Sequence, residues 1–140
     1  MQISPHLSFD GRCKEAFEAY QHLLGGELVM LTYGASPLAT TVDASWHERI
    51  VHATLRLDGF ELAGADVRTE DYRKPQGFSV LISVDEREEA ERLFSALAVG
   101  GEIQFPFQKT FWSLGYGLVT DRFEVPWEIS CAQPSASDRR

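Results

Sequence analysis

The chain is short of positive charge: 13 Lys and Arg stand against 21 Asp and Glu, a formal net charge of −8 over 140 residues. Nucleic-acid binders concentrate Lys and Arg on one face, and no basic run occurs anywhere in this sequence, which argues against a nucleic-acid partner. Cysteine is equally scarce. Cys13 and Cys131 are the only two, each among apolar neighbours, which suits reduced thiols packed as small hydrophobes better than a disulfide. Long apolar runs are missing too: no segment approaches the roughly 20 residues that cross a bilayer. The first stretch, "MQISPHLSFDG", has neither a basic region nor an apolar run. A soluble, untargeted, cytoplasmic protein with no membrane partner is therefore expected. With 44% hydrophobic residues, a chain of this length can bury one core without a disulfide or structural metal.

What the chain does have is internal repetition. Sliding it on itself by 75 residues lays "LSFDGRCKEAFEAYQHLLGGEL" over "ISVDEREEAERLFSALAVGGEI", with Ser8 on Ser83, Asp10 on Asp85, Arg12 on Arg87 and Gly25-Gly26-Glu27 on Gly100-Gly101-Glu102. Each half runs from alternating apolar residues to an Asp, then through a helical period to a Gly-Gly stop and a new strand. Cys13, Ala16, Phe17, Tyr20 and Leu24 form one apolar stripe, and Ala90, Leu93, Phe94 and Leu97 form another. Asp85 with Glu88 reads as a capping box, while Gly25 and Gly100 suit the left-handed conformation that ends a helix.

Further strands are predicted over residues 28–33, 50–57 and 60–65, then 103–107, 112–119 and 125–131. The unit is βαβββ, used twice in an α+β chain read as one domain over 1–140. Module 1 covers about 2–65, a charged connection "DVRTEDYRKPQ" covers 66–76, and module 2 covers about 77–131. The polar stretch 132–140, "AQPSASDRR", reads as a frayed tail. Residues 34–48, "GASPLATTVDASWHE", read as a long irregular loop of the kind that often covers a functional site.

The duplicated unit, with the strings "LSFDG", "AYQHLLGGEL", "IVHATLRLDGFEL", "SVDEREEAERLFSAL" and "QKTFWSLGYGLVTDRFEVPWEIS", resembles the PhnB-like branch of the glyoxalase/bleomycin-resistance/dioxygenase superfamily, also called vicinal oxygen chelate. The resemblance covers about residues 2–131. It implies tandem βαβββ modules forming a curled mixed sheet around a cavity, often with one divalent metal ion (Zn, Ni, Fe or Mn) and in some members none. It also implies a homodimer with shared sites. Two functions follow from it: a metal-dependent lyase, isomerase or dioxygenase acting on a small oxygenated molecule, or a metal-free protein that sequesters a small molecule as antibiotic-binding relatives do. The superfamily's first-strand ligand positions fall on Ser4 and Ser79, and Glu124 stands where the branch usually has the Gly of a D-x-F-G turn.

Strand side chains alternate between faces, so a module whose helix covers one face shows the other to the cavity. Ile3, Pro5, Leu7 and Phe9 form the helix-facing set of the first strand, leaving Ser4, His6 and Ser8 on the polar side. In "IVHATLRLDG", Val51, Ala53, Leu55 and Leu57 face the core, and His52, Thr54 and Arg56 the other way. Glu61 closes the first module as Glu128 closes the second, each between an aromatic and an aliphatic residue, so the two carboxylates are expected at matching places. His6, His52, Glu61 and Glu128 form a chemically adequate set for a divalent ion. The alternatives are histidines bonded to polar neighbours and a Glu61 that points to solvent. Glu128 reads as a site carboxylate, as ligand or catalytic base, or as a carboxyl of raised pKa. Arg56, Lys109, Trp112 and Tyr116 offer cations and aromatic walls for an anionic or planar small molecule, with packing as the alternative role of the rings.

Overall fold

Seen in a computed structural model that describes residues 1–132, the chain consists of two compact units, residues 1–73 and a second beginning at Lys74. The first contains β1 (His6–Phe9), α1 (Cys13–Leu24), β2 (Glu27–Thr32), β3 (Ile50–Leu57) and β4 (Phe60–Asp66). The second contains β5 (Val80–Val84), α2 (Arg87–Ala98), β6 (Glu102–Gln108), β7 (Ser113–Thr120) and β8 (Pro126–Ala132). Each is a βαβββ unit whose four strands form one mixed sheet, in the orders β1-β4-β3-β2 and β5-β8-β7-β6. In both, the first strand pairs parallel with the last, and the remaining pairs are antiparallel.

One helix covers one face of each sheet because its apolar stripe has nowhere else to go. Cys13, Ala16, Phe17 and Tyr20 on α1 meet Leu7, Phe9, Ala53, Leu55 and Leu62 in a core where all are buried. Ala90, Leu93, Phe94 and Leu97 on α2 do the same with Val119, Trp127, Ile129 and Cys131. Burial of each larger side chain contributes about 1.5–3 kcal/mol. The close fit demands glycine at two points: a Cβ on Gly64 would lie 2.6 Å from the Phe17 ring, and one on Gly117 would lie 2.6 Å from that of Phe94.

Two buried carboxylates fasten the ends of elements. Asp66 accepts from the Cys13 N–H at 3.0 Å and the Ile50 N–H at 2.9 Å, tying the end of β4 to the starts of α1 and β3. Asp121 does comparable work at the turn before β8, where it accepts from the N–H groups of Phe123 and Val125. Both cysteines are free and buried, and burial, with Asp66 beside it, pushes the Cys13 thiol well above its ordinary pKa.

Several expectations are corrected. Asp66 is the last residue of β4 and not the first of the connection. Residues 34–48 are not irregular: they hold 3-10 turns at Pro37–Thr41 and Ala44–Trp46, the first capped by the Ser36 hydroxyl accepting from the Leu38 N–H. Asp85 does not cap α2, since Glu86 occupies that position without a side-chain bond. Ile3 and Pro5 precede β1 and are exposed. An irregularity in the pairing of β2 with β3 puts Ile50, not Val51, in the core. Glu124 adopts φ 73°, the left-handed geometry the turn requires, despite carrying a side chain. Ala132 belongs to β8, and the rest of the expected tail, 133–140, lies outside the described residues.

Candidate functional site

The face of each sheet opposite its helix carries the polar side chains. In the second unit the odd-numbered residues of β7 and β8 between Ser113 and Cys131 are buried, which turns Tyr116, Leu118, Glu128 and Ser130 the other way. Glu128 sits centrally there, half-buried, on the strand between β5 and β7. Ser79, just before β5, donates its hydroxyl to one carboxylate oxygen, and Tyr116 on β7 donates its phenol to the other. The Ser79 bond, then the Tyr116 bond, hold the Glu128 carboxyl below its ordinary pKa, outweighing partial burial. Tyr116 is pushed up to about 12, first by burial and then by its bond to Glu128. The carboxylate in the middle of this strand is thus a fixed anion, and the reading of a raised pKa is corrected: two hydroxyls that donate to the charged form favour it.

Aromatic rings continue from Tyr116. Its ring lies edge-to-face with Phe105 at 5.8 Å and with Trp112 at 5.4 Å between centroids, and Trp112 lies edge-to-face with Phe111 at 4.8 Å. Trp112 and Phe111 are exposed, at 49% and 91%, whereas Trp127 is buried in the core. Lys109 follows the end of β6 and is exposed. The Thr110 and Ser113 hydroxyls, 2.6 Å apart, pin the turn that presents Phe111 and Trp112.

The first unit arranges its polar face differently. Glu61 is half-buried; its carboxylate accepts from Gln2 Nε2 at 3.0 Å and lies 4.0 Å from Arg56 Nε. It does not simply point to solvent. His6 stands level with Ala63 across β1 and β4, and Ala63 with Thr54 across β4 and β3. His52 is two residues further along β3, so two strand spacings, roughly 10 Å, and one pleat repeat separate the histidine backbones.

The two carboxylates are not at equivalent positions. His6 pairs with Ala63, whereas its counterpart 75 residues on, Leu81, pairs with Glu128. Glu128 therefore matches Ala63, and Glu61 matches the position of Pro126. The local pattern of aromatic, Glu, aliphatic concealed a two-residue offset along the strand. The sequence shows Ser79 only as a position lacking a ligand, the equivalent of Ser4 in the other module at the 75-residue offset; its role as donor depends on pairing with a strand 49 residues away.

Two βαβββ units, each a mixed four-stranded sheet with one helix and a polar opposite face, give the chain the glyoxalase/bleomycin-resistance fold. The same fold occurs in a glyoxylase/bleomycin resistance protein/dioxygenase domain from Frankia sp. EAN1pec (16% identity, 95% of this chain and 98% of that one, TM-score 0.59). It also occurs in the fosfomycin resistance protein FosX from Listeria monocytogenes (10% identity, 99% and 96%, TM-score 0.64), solved with Mn(II) and a dihydroxypropylphosphonic acid. Within that class, a family model described as 3-demethylubiquinone-9 3-methyltransferase matches residues 1–130, and the chain belongs to this PhnB-like family. Protein YjdN of Escherichia coli K12 is 34% identical over 139 residues, covering 93% of this chain and 95% of that protein. Protein PA1353 of Pseudomonas aeruginosa is 43% identical over 96% of this chain and 99% of its own, with a TM-score of 0.87. A PhnB protein from Bacillus cereus, described as a putative 3-demethylubiquinone-9 3-methyltransferase, is 25% identical over 93% and 98%, with a TM-score of 0.78. No helix among the described residues is long and apolar enough to cross a membrane.

Proposed function

We propose that this chain is a metal-free small-molecule binding protein whose second module takes a planar molecule bearing a positive charge or a hydrogen-bond donor. The observation that carries this reading is Glu128, kept ionised by Ser79 and by Tyr116, whose ring in turn meets the exposed ring of Trp112. A carboxylate whose proton affinity is lowered is a weak base but a good fixed anion. An aromatic ring next to it adds attraction for a cation over its face. Glu128, Tyr116, Trp112 and Lys109 are the ligand contacts proposed in this module. On the first module, Arg56 and Glu61 form a separate polar pair, at positions that do not match the Glu128 site.

The donor set disfavours the metal-dependent lyase, isomerase or dioxygenase. Ser4 and Ser79 offer neutral hydroxyls where imidazole would suit Zn, Ni, Fe or Mn. Each oxygen of Glu128 already accepts a hydrogen bond. Among the described residues, no three His, Cys, Asp or Glu side chains gather as a metal site. FosX, with its Mn(II), shares the fold but at 10% identity lends no ligand set. We also read the two modules as one domain and the chain as a homodimer, since large apolar side chains stay exposed on the strands, among them Val29, Leu31, Leu81 and Ile103.

Equilibrium titration with proflavine, a planar aromatic cation, tests the binding reading. Glu128→Gln and Trp112→Ala should each weaken binding at least tenfold, while untagged protein carries no stoichiometric metal by mass spectrometry. Proflavine affinity unchanged in Glu128→Gln, or a stoichiometric divalent ion lost in that variant, would overturn it.

A further inference from the structure

Arg49 lies in the first unit, directly before β3, three residues after Trp46. Its guanidinium carbon stands 4.3 Å from the Trp46 ring centroid. Gly11 closes the other side: a Cβ there would sit 3.1 Å from the same carbon. The planar group is therefore clamped between an indole and a backbone that has no side chain. Its nearest anion, Asp10, is 3.7 Å away, too far for a hydrogen bond, and that oxygen already accepts from the Thr69 hydroxyl at 2.8 Å. Arg49 Nη1 is buried with no hydrogen-bond partner. A charged donor left in that condition costs stability; the Arg49 side chain is 31% exposed, so the remaining N–H groups of the guanidinium, and not Nη1, are the ones open to an acceptor in solution.

The space for one is present. Arg49 and Trp46 line a cavity of about 870 Å³, built by the 3-10 turns of residues 37–46 on one side and residues 66–71 on the other. Leu38, Val42 and Tyr33 give it apolar wall, and Arg68 a second cation. Asp43, Asp66, Glu70 and Asp71 also line it, the Asp66 carboxylate being taken up by the Cys13 and Ile50 N–H groups; these acids disfavour a multiply charged anion such as phosphate more strongly than a single charge paired with Arg49.

We propose that this cavity binds a small monocarboxylate with an apolar or aromatic body, its carboxylate accepting from the Arg49 guanidinium and its body lying against Leu38, Val42 and Tyr33. The guanidinium fork matches a carboxylate in two-point geometry, and immobilisation between Trp46 and Gly11 has already removed most of its rotamer freedom. This site lies wholly within the first unit and does not depend on the role given to Glu128.

Amide and indole resonances of the wild-type protein should be followed on adding benzoate, its uncharged counterpart benzamide, and inorganic phosphate. Benzoate should shift the Trp46 indole N–H, identified by its loss in Trp46→Phe, in a saturable way. Benzamide should produce no such shift, phosphate should bind at least tenfold more weakly than benzoate, and Arg49→Gln should weaken benzoate at least tenfold. No saturable response to benzoate, an equal response to benzamide, phosphate binding as tightly as benzoate, or unchanged affinity in Arg49→Gln each overturns the proposal. Should Arg49→Gln fail to fold, the wild-type comparison of benzoate with benzamide decides alone.

Discussion

The indole Nε1–H of Trp127 donates to Asp121 at 2.8 Å, both side chains being buried. That oxygen completes a carboxylate whose other oxygen receives the Phe123 and Val125 N–H groups at 2.8 and 3.0 Å. The turn and the central strand that follows it thus hang on one side chain. Asp121→Asn keeps the shape but turns an amide N–H₂ toward N–H donors. It should cost about 2–3 kcal/mol, the penalty for leaving buried donors unmet, read as a lower urea midpoint with unchanged m-value.

Glu124 sits in the same turn at φ 73°, a conformation that strains a residue with a Cβ. Its ion pair with Lys74, 3.9 Å long and largely exposed, returns little. Glu124→Gly should raise stability by about 0.5–1 kcal/mol, the strain relieved less the entropy glycine adds to the unfolded chain. A parallel Glu124→Ala variant, which keeps the strain, should show no gain by the same measurement.

The Glu128 carboxyl has a lowered folded pKa, so the folded state binds that proton less readily than the unfolded chain. Its contribution is present above the unfolded carboxylate pKa and is lost as pH falls through the folded one. The stability difference between wild type and Glu128→Gln should therefore shrink as the pH is lowered from neutral into the acid range, measured by urea unfolding at each pH. A difference that stays constant with pH would contradict the bonds to Ser79 and Tyr116.

Tyr116 offers the opposite sign. Its folded pKa of about 12 exceeds the ordinary phenol value, so the stability it contributes is present below the unfolded pKa and fades as pH rises through the folded one. Ultraviolet titration, with Tyr116→Phe subtracted to isolate this phenol, should place its midpoint near 12. Glu128→Gln should lower that midpoint only in part, because burial is the larger cause.

Gly64→Ala tests the packing of the first unit. The added methyl would meet the Phe17 ring at 2.6 Å, and overpacking of this kind costs about 1–3 kcal/mol. Phe17→Leu in the same chain should recover part of that loss, which a thermal melt of the double variant checks.

The period-2 alternation made Leu7, Phe9, Ala53 and Leu55 legible as core, and the Gly-Gly stops located both helix ends, because each signal depends only on near neighbours in sequence. Longer-range features were less visible. The helix stripes do not follow the 75-residue offset: buried Cys13, Ala16, Phe17 and Tyr20 correspond in spacing to Ala90, Leu93, Phe94 and Leu97, 77 residues on. Two residues rotate a helix by about half a turn, so strands and helices of the two modules cannot both be aligned without a gap. The same blindness to register made Glu61 and Glu128 look like counterparts. Asp66 and Asp121 escaped notice because a buried carboxylate is recognised by the N–H groups around it, which come from residues far along the chain. The Arg49 stacking had a faint signature in the Trp46-x-x-Arg49 spacing, but the opposing Gly11 is nearly forty positions away.

Because the last strand of each module is inserted between the first and the third, neither sheet can be completed in the order in which its strands are synthesised. On the ribosome, β1 and α1 must wait, without their central partner, until Asp66 has emerged, and β5 must wait until β8 has. A nascent chain stalled before residue 60 or before residue 126 would expose an unpaired β1 or β5 and the uncovered apolar stripe of its helix, a state prone to chaperone capture and proteolysis.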